Sequence, residues 1–396
     1  MKEPKHILII PSWYPQFSGD IGGSFFREQA IALRKAGYQV GVIYPQIRSL
    51  KNIKSILKKP YGLTLENDEG VNTFRWYTAN YIPKSKKYNK THWIKVALKL
   101  FDTYVKQFGK PEIIHVHSML YAGFAAKIIY EKYGIPYVIT EHSSAFARNL
   151  IAEDVLDSLK PVVDQAKVCI AVSQNFSYFL EKKFSSSIWH YIPNIVNDDF
   201  FIPAEISELK NDKKIRIISI CHLNKNKNTE LLIRAFAQLL ITQFYDSNIE
   251  LVIGGDGEER QALETLVKTL KLENYVNFLG GLTRAEVKNE IQKSSLFVVS
   301  SYYETFGVVA IEALALGKPI VSTKCGGPES IVNPNVGVLV ENNSVSELAK
   351  GMLYVCSHLN DYDADILKKY CLENFSEKAV IEKLTKIYTE PSSSNE

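Results

Sequence analysis

The sequence predicts an α/β protein with two domains, each built on a doubly wound parallel sheet. Apolar, β-branched segments typical of buried parallel strands alternate with helical patterns, and this alternation occurs once in each half of the chain. The 396 residues, 46% of them hydrophobic, are enough for two cores. A polar, charged stretch interrupted by Pro203 separates the halves. We therefore expect domains over residues 1–198 and 199–375, with ligands at the carboxyl ends of the strands, in the cleft between the domains.

The first half contains five short apolar segments that predict parallel strands. They are Ile7–Ile10, Gln39–Tyr44, Ile113–Val116, Tyr137–Thr140 and Val168–Ala171. Helical patterns over Ser24–Ala36 and Tyr121–Tyr133 lie between some of them, and each is followed by a glycine that can end a helix.

The second half repeats the scheme. Its predicted strands are Ile215–Cys221, Glu250–Gly254, Val276–Leu279, Leu296–Ser300 and Pro319–Ser322. A helix is expected from Val308 to Leu316, because Gly317 and Pro319 stop it. A last helix is expected over residues 376–390.

Composition and charge exclude several classes of protein. The net charge of +4 is too small to indicate a nucleic-acid partner. The five cysteines are odd in number and show no C-x-x-C spacing, which favours reduced thiols in a cytoplasmic protein over disulfides or a zinc site. The apolar run Ile7–Pro11 is too short for a signal peptide. Since no segment approaches the ~20 apolar residues that span a bilayer, we expect a soluble or peripheral protein.

Two glutamates at the start of the predicted 308–316 helix point to a ligand site. Glu304 lies at the mouth of this helix and Glu312 lies two turns further along, on its wall. The backbone N–H groups of residues 306–309 are first-turn donors and suit a phosphate. Carboxylates beside an anion site make sense if the anion carries a sugar, because sugar hydroxyls need acceptors.

The motif Glu304-x7-Glu312, within Tyr-Glu-Thr-Phe-Gly and Glu-Ala-Leu-Ala-Leu-Gly-Lys-Pro, closely resembles the signature of retaining glycosyltransferase family 4. That family has the GT-B fold, in which two Rossmann-like domains face a central cleft. Further landmarks resemble the family in its order along nearly the whole chain: Ser12–Pro15 with Gly22–Phe25, Val138–His142, Ile192–Asn194 and Gly326–Val332. The resemblance implies that the first domain binds the acceptor, that the second binds the donor, and that helix 376–390 packs back on the first domain.

The resemblance also implies which residues bind a nucleotide-sugar donor. Glu312 would accept hydrogen bonds from the ribose hydroxyls, Glu304 would bind hydroxyls of the transferred sugar, and Lys227 would neutralise the departing diphosphate. The expected donor-binding residues are Gly22, Gly23, His222, Lys227, Gly255, Leu282, Thr305, Phe306, Gly307, Val308, Val309 and Glu312.

His222 stands where the family usually has an arginine. Arginine is always charged and can form a bidentate contact, whereas a histidine is only partly charged near neutral pH. Either the electrostatic field of the phosphate keeps His222 protonated, or Lys227 carries most of this role with help from the backbone, or Lys225 substitutes. Alternatively, His222 only satisfies a strand-end carbonyl.

The expected residues of the first domain are histidines and a serine. His142 resembles the family's histidine near the transferred sugar, with a role in binding or polarising that sugar, and Ser24 and His117 are expected on the acceptor side. A three-histidine metal site made of His115, His117 and His142 is an alternative. A packed strand-end histidine is commoner, and the resembled family needs no metal, so we expect none.

The resemblance implies a retaining, metal-independent glycosyltransferase in surface polysaccharide or glycan biosynthesis. A UDP- or GDP-sugar would be the co-substrate, no other cofactor is expected, and the acceptor would be a saccharide or a lipid-linked sugar. In such a front-face displacement the diphosphate leaves, and its own oxygen helps to deprotonate the acceptor. The expected catalytic residues are Glu304, His142 and Lys227.

Other functions fit fewer of these features. A glycosidase needs two carboxylates that face one bond, which two glutamates offset along a helix do not provide. A nicotinamide dehydrogenase is disfavoured because Gly255-x-Gly257 lacks the third glycine of its phosphate loop. An epimerase of the same fold and a catalytically silent or rewired nucleotide-sugar binding protein stay as alternatives.

A basic segment suggests a membrane partner. Lys84–Lys99 interleaves lysines with Trp93, Val96 and Leu100 at helical spacing, as an interfacial helix would. We therefore expect a cytoplasmic protein that is peripheral on the anionic inner face of the plasma membrane. An ordinary amphipathic surface helix is the alternative.

Overall fold

The computed structural model describes residues 5–16, 22–49, 61–82, 84–185, 187–202, 214–243 and 248–389. The chain forms two compact units. The first comprises Met1–Asn194 and Val380–Glu396, and the second comprises Ile195–Ala379. The chain thus leaves the first unit four residues before the expected boundary at residue 198 and returns to it inside the last helix.

The first unit is built on an eight-stranded sheet with the order β3-β4-β2-β1-β5-β6-β7-β8. Neighbouring strands are parallel except β3 and β4, which are antiparallel. The strands are β1 (His6–Pro11), β2 (Gln39–Ser49), β3 (Gly62–Asp68), β4 (Val71–Asn80), β5 (Ile113–His117), β6 (Tyr137–Glu141), β7 (Val168–Ala171) and β8 (Trp189–Tyr191). Every residue of β1, β5 and β6 is buried, as expected of central parallel strands covered on both faces.

Helices connect and cover these strands. They are α1 (Ser24–Lys35), α2 (Lys86–Phe108), α3 (Met119–Tyr133), α4 (Glu153–Asp164) and α5 (Gln174–Lys183). The last helix of the chain, Glu377–Thr389, also returns to this unit from Val380 onward, where Tyr388 bonds to His115. Among the described residues, none of the helices combines the length and the apolar content that crossing a membrane requires.

The β3–β4 hairpin was not expected from the sequence. Its turn places both Glu69 and Gly70 at positive φ, as a two-residue hairpin turn requires. Glutamate is an uncommon residue for that conformation, so the sequence carries a weak turn signal. Strand β3 lies at the sheet edge and leaves Leu63 and Leu65 exposed, so its apolar residues do not mark a buried strand.

Helix α2 contains most of the basic Lys84–Lys99 segment, and its apolar residues face the core. Trp93, Val96 and Leu100 are buried, in a helix that packs against β2, β4 and α3. The expected interfacial stripe is therefore not available to a lipid surface, because the protein's own sheet covers it. Lys84, Lys86 and Lys87 are exposed.

The second unit is built on a six-stranded parallel sheet with the order β11-β10-β9-β12-β13-β14. Its strands are β9 (Ile215–Ile220), β10 (Ile249–Gly254), β11 (Val276–Gly280), β12 (Leu296–Val299), β13 (Ile320–Thr323) and β14 (Gly337–Val340). Its helices are α6 (Thr229–Gln243), α7 (Arg260–Thr269), α8 (Arg284–Gln292), α9 (Val308–Ala315), α10 (Val345–Ser357), α11 (Ala364–Phe375) and the beginning of α12 (Glu377–Thr389).

Both sheets are doubly wound, and each has one point where the strand order reverses. In the first unit the chain moves from β1 to β2 on one side and later to β5 on the other, so β1 and β5 flank this switch point. In the second unit β9 and β12 do so. Loops at the carboxyl ends of such strand pairs diverge and leave room for a ligand.

Candidate active site

An ion pair joins the two loops at the switch point of the second unit. Lys227 lies in the 3-10 turn Lys225–Lys227 after β9, and Glu304 follows β12. Lys227 Nζ lies 2.5 Å from Glu304 Oε1, and Ser301 Oγ donates to the same oxygen at 2.6 Å. The structure thus brings together two residues that the sequence analysis assigned to the diphosphate and to the transferred sugar.

Hydrogen bonds to backbone carbonyls hold these two loops together. Tyr302 N donates to Asn226 O at 2.8 Å, and Asn226 Nδ2 donates to Tyr303 O at 2.8 Å. Ser300 Oγ donates to the carbonyl of Lys227 at 3.0 Å. The ion pair therefore rests on a fixed backbone and not on two flexible surface side chains.

The environment of the pair keeps the lysine charged. The side chains of Lys227 and Glu304 are 25% and 15% exposed. Burial alone would lower the pKa of Lys227, but the Glu304 carboxylate raises it above the ordinary lysine value. An ammonium has three donors, so Lys227 can contact a phosphate while it still contacts Glu304.

The start of α9 is where the sequence analysis expects an anion to bind. Gly307 precedes the helix at φ 106, a left-handed conformation that favours glycine. Val308 and Val309 are the first two residues of the helix, and the N–H groups at such positions have no acceptor inside the helix. The next N–H group, that of Ala310, donates to Gly307 O at 2.9 Å. The first turn contains no acidic residue that would repel an anion. Thr305 and Phe306 form the loop between Glu304 and this helix, and Phe306 is buried against Phe375.

Glu312 lies on the wall of α9 and is fully buried, with 0% of its side chain exposed. Arg284 Nη1, at the start of α8, forms an ion pair with Glu312 Oε1. The Arg284 guanidinium carbon lies 4.9 Å from the centre of the Phe200 ring. Glu312 is thus a paired carboxylate, and the sequence analysis did not anticipate its partner.

Gly255 lies where the loops after β9, β10 and β11 meet. Its N–H donates to Gly280 O at 2.7 Å, and Cys221 N donates to Gly254 O at 3.0 Å. Gly255 has φ 114, and a Cβ there would lie 1.8 Å from Cys221 O, so only glycine fits. Leu282 is half-buried near Gly254. The loop after β9 is also the one that bears Lys227.

His222 lies at the surface of the loop after β9. Its side chain is 64% exposed, and its Nε2 lies 3.6 Å from Glu258 Oε2, which is equally exposed. The expected replacement for an arginine is therefore a solvent-facing histidine beside a carboxylate, whereas Lys227 in the same loop is largely covered. Lys225 is exposed.

The first unit brings its predicted residues together around a pair of buried histidines. His117 ends β5, His142 follows β6, and His117 Nδ1 and His142 Nε2 are hydrogen-bonded at 3.0 Å. The side chain of Asn194 also hydrogen-bonds His142. Phe26 packs on both rings, at centroid distances of 5.1 Å from His117 and 4.7 Å from His142.

The glycine loop leads directly to these histidines. Gly23, at φ 79, precedes α1, which begins at half-buried Ser24 and carries Phe26. Gly22 is exposed. Buried Nε2 of His117 has no hydrogen-bond partner among the described residues, so it is a polar atom that the protein itself leaves unsatisfied. Ser24, His117 and His142 therefore lie in one neighbourhood of the first unit.

The histidines are not arranged as metal ligands. Among the residues the structure describes, no three His, Cys, Asp or Glu side chains form a group that could hold a metal ion. Both ring nitrogens of His115 are already bonded, to Tyr388 Oη at 2.7 Å and Thr140 Oγ1 at 2.8 Å. Burial lowers the pKa of His115 and of His142 to about 3 and that of His117 well below its usual value. The cluster is therefore neutral at physiological pH.

Two groups of functional side chains were missed by sequence reasoning. Glu141 is a buried carboxylate that accepts hydrogen bonds from Met119 N at 2.9 Å, His142 N at 2.9 Å and Ser143 N at 2.7 Å, so it fixes the backbone that carries His142. Its position directly before His142 was a usable signal. Ser301 binds the Glu304 carboxylate, and Arg284 binds that of Glu312. The sequence holds one indirect signal for the second partner, which is that Glu312 is a charged residue within an apolar helix.

Comparison with known proteins agrees with this fold. Residues 22–200 match the family model described as Glycosyltransferase Family 4, and residues 203–364 match that described as Glycosyl transferases group 1. TuaC of Bacillus subtilis, a glycosyltransferase whose name associates it with teichuronic acid biosynthesis, is 26% identical over 87% of this chain and 88% of its own length. One chain of the human phosphatidylinositol N-acetylglucosaminyltransferase is 26% identical over 69% of this chain and 56% of its own length.

Solved structures share the two-unit architecture. Sucrose-phosphate synthase from Thermosynechococcus elongatus superposes with a TM-score of 0.79 at 20% identity, over 97% of this chain and 98% of that one. HepE from Anabaena, crystallised with UDP, gives a TM-score of 0.71 at 19% identity, over 96% and 98% of the two chains. The fold is GT-B. With two glycosyltransferase family models that together match most of its length, the chain belongs to the GT-B glycosyltransferases.

We predict that the buried histidines make the protein less stable as the pH falls. An unfolded histidine has a pKa near 6.5, whereas the folded His115 and His142 have a pKa of about 3. Between these values the unfolded chain binds more protons, so the stabilisation is complete above pH 6.5 and is lost as the pH falls toward 3. Each histidine should cost about 2 kcal/mol of unfolding free energy between pH 6.5 and pH 5. Urea unfolding at several pH values measures this loss.

The control is His115→Gln, which can still hydrogen-bond but does not titrate. The difference in unfolding free energy between wild type and this variant should shrink by about 2 kcal/mol between pH 6.5 and pH 5. A difference that does not change with pH would contradict the prediction.

Proposed function

We propose that the protein is a retaining, metal-independent glycosyltransferase that transfers a sugar from a UDP- or GDP-sugar to a saccharide or lipid-linked acceptor. The observation that carries the proposal is the Lys227–Glu304 ion pair beside the start of α9, at the switch point of the second unit. A cation and free helix N–H groups suit a diphosphate, and carboxylates close by suit sugar hydroxyls. HepE, crystallised with UDP and with UDP-glucose, is a neighbour of the same fold.

The transfer follows from how these groups would meet a donor. The bond between the anomeric carbon and the diphosphate oxygen breaks, the acceptor hydroxyl attacks from the same face, and its proton passes to the departing diphosphate. Lys227 and the N–H groups of Val308 and Val309 would stabilise the charge on the leaving group. A well-aimed donor of this kind contributes roughly 3–4 kcal/mol to the lowering of a barrier. Glu304 would hold hydroxyls of the transferred sugar.

The first unit supplies neutral polar groups, which suit uncharged sugar hydroxyls. Among these groups, His142 would lie near the transferred sugar, with its ring orientation set by His117 and Asn194. Buried Nε2 of His117 would pair with a hydroxyl on the acceptor side, near Ser24. Because burial keeps both rings neutral, each can donate or accept a hydrogen bond without the cost of a buried charge.

Two features support an acceptor at a membrane on the cytoplasmic side. The human relative named above acts, by its name, on phosphatidylinositol. In the structure, the exposed Lys84, Lys86 and Lys87 adjoin Tyr81 and Ile82, which are also exposed. Such a basic patch with aromatic and aliphatic side chains suits the anionic inner leaflet of the plasma membrane, although the contact would not use the buried face of α2.

We predict that one nucleotide diphosphate, free or as a sugar conjugate, stabilises the protein in the presence of EDTA. At a ligand concentration 100 times Kd, binding adds about 2.7 kcal/mol of stability, which should raise the melting temperature by roughly 5–10 °C where the second unit, Ile195–Ala379, unfolds as a unit of its own. A thermal-shift panel of UDP, GDP, ADP and their sugars measures this. Lys227→Met should remove most of the shift, because the diphosphate loses its cation, whereas Lys225→Met in the same turn should keep it.

The outcomes separate the alternatives. A shift that EDTA abolishes would contradict metal independence. No shift with any nucleotide would contradict the donor site. Binding without turnover of any nucleotide sugar would favour the silent binding protein, and conversion of the bound sugar into an epimer would favour the epimerase.

We predict that the sugar keeps its anomeric configuration. With water as the acceptor, slow hydrolysis of the bound donor should first release the anomer that the donor carries, because front-face attack retains configuration. Proton NMR at early times, before the free sugar equilibrates, distinguishes the two anomers. First release of the opposite anomer would show inversion and would overturn the mechanism.

We predict that the basic patch binds anionic membranes. Changing Lys84, Lys86 and Lys87 to glutamate should weaken flotation with vesicles of acidic phospholipid at least about tenfold, since each lysine near such a surface contributes about 1 kcal/mol. The matched control changes Lys132, Lys160 and Lys182, which are exposed in the same unit, to glutamate and alters the net charge equally. Equal flotation of both triple variants would contradict a specific patch.

A further inference from the structure

We propose that Arg284 is a positioning residue of the donor site: it keeps the buried Glu312 carboxylate charged and oriented for the ribose hydroxyls of the nucleotide. The proposal rests on the proposed nucleotide-sugar site, to which it adds a residue that the sequence analysis did not identify. The juxtaposition that carries it is the ion pair between Arg284 Nη1 and Glu312 Oε1.

Glu312 needs a positive partner because of where it lies. Its side chain has no exposed surface, and its neighbours along α9, Ile311 and Ala313, are buried as well. A carboxylate removed from water is stable in its charged form only beside a compensating charge. Arg284 supplies this charge. The Cys371 thiol of α11 also faces Glu312, but burial raises the pKa of that thiol, so it stays neutral.

Arg284 is itself held in place from two sides. It is the first residue of α8, which Thr283 and Glu286 cap reciprocally: Glu286 N donates to Thr283 Oγ1 at 3.3 Å, and Thr283 N donates to Glu286 Oε2 at 2.7 Å. The buried Phe200 ring lies 4.9 Å from its guanidinium carbon. Phe200 belongs to the 3-10 helix Asp198–Phe201, which packs on α9. The backbone of α8 and an aromatic face therefore fix the direction of the guanidinium.

This arrangement bears on nucleotide binding. A charged carboxylate can accept hydrogen bonds from two adjacent hydroxyls. A protonated carboxyl group has fewer acceptor sites, and its neutral hydrogen bonds are weaker. With Arg284 on Oε1, the orientation of the carboxylate is set before the nucleotide arrives. Replacement of Arg284 should therefore weaken the contact between Glu312 and the ribose and leave the contacts to the diphosphate intact.

The test is a thermodynamic cycle in which Arg284 is replaced in the protein and the ribose hydroxyls are removed from the nucleotide, separately and together. Isothermal calorimetry measures Kd for UDP and GDP and for their 2′,3′-dideoxy counterparts, with wild type, Arg284→Met and Arg284→Lys. We expect Arg284→Met to weaken the binding of the natural nucleotide at least about tenfold, the size of a lost charge-assisted hydrogen bond. It should leave the dideoxynucleotide, which has no ribose hydroxyls to lose, within twofold. Arg284→Lys should recover part of the loss, because it restores the charge but not the planar fork.

Two further variants separate positioning from folding. Arg216→Met removes another arginine of this unit, which lies at the amino end of β9 and pairs with Glu250 and Glu290. This variant should weaken the binding of the natural and of the dideoxynucleotide equally, or leave both unchanged. In Glu312→Gln, no buried charge needs compensation, so adding Arg284→Met should change the affinity for UDP or GDP less than twofold. This pair keeps the test valid if Arg284→Met alone is unstable.

The outcomes distinguish this proposal from the function on which it rests. If wild type binds neither nucleotide, the donor site itself fails. If wild type binds one nucleotide and Arg284→Met weakens the natural and the dideoxy forms alike, Arg284 acts on the fold and not through the ribose, and the proposal is overturned. Equal affinity of wild type and Arg284→Met for the natural nucleotide would overturn it as well.

Discussion

The ion pair between Lys227 and Glu304 is the interaction on which the candidate site of the second unit depends. It closes the gap between β9 and β12, where the strand order reverses and the two loops would otherwise diverge. Partial burial makes an ion pair costly unless further hydrogen bonds support it. Here Ser301 bonds the carboxylate, and backbone bonds fix both loops. The loop that carries Glu304 leads directly into α9, so the ion pair lies next to the start of this helix.

Hydrogen bonds hold the corresponding loops of the first unit together. At its switch point, Ser12 N donates to His117 O at 2.9 Å, and Ser12 Oγ accepts from Ala122 N at 3.2 Å, so the end of β1 is tied to β5 and to the start of α3. The histidines that follow are buried and neutral. One switch point thus presents a cation and helix N–H groups, and the other presents neutral polar atoms. This difference fits the proposed assignment of a charged donor to the second unit and of an uncharged sugar acceptor to the first.

Sequence patterns predicted the parts of the fold that depend on local chemistry. The helix from Val308 was predictable because a glycine precedes it, an apolar run fills it and Gly317 and Pro319 end it. The β3–β4 hairpin was not, because Glu69 sits in a conformation that its residue type seldom adopts and because the edge strand exposes its leucines. Arg284 was not predictable either: it meets Glu312 across 28 positions of chain, and no local pattern encodes such a contact.

The place of His222 shows how the charges would be shared in the proposed reaction. As a solvent-facing histidine paired with Glu258, it offers a diphosphate little of what a fixed arginine would. Neutralisation of the diphosphate would then depend on Lys227, which stays charged because Glu304 raises its pKa. Because an ammonium has three donors, Lys227 would contact a diphosphate at the start of α9 and still contact Glu304, whose carboxylate has further acceptor sites for the hydroxyls of the sugar. The ion pair would therefore hold both parts of the proposed donor contact next to each other: a cation for the diphosphate and a carboxylate for the sugar, on two loops where both side chains are largely covered.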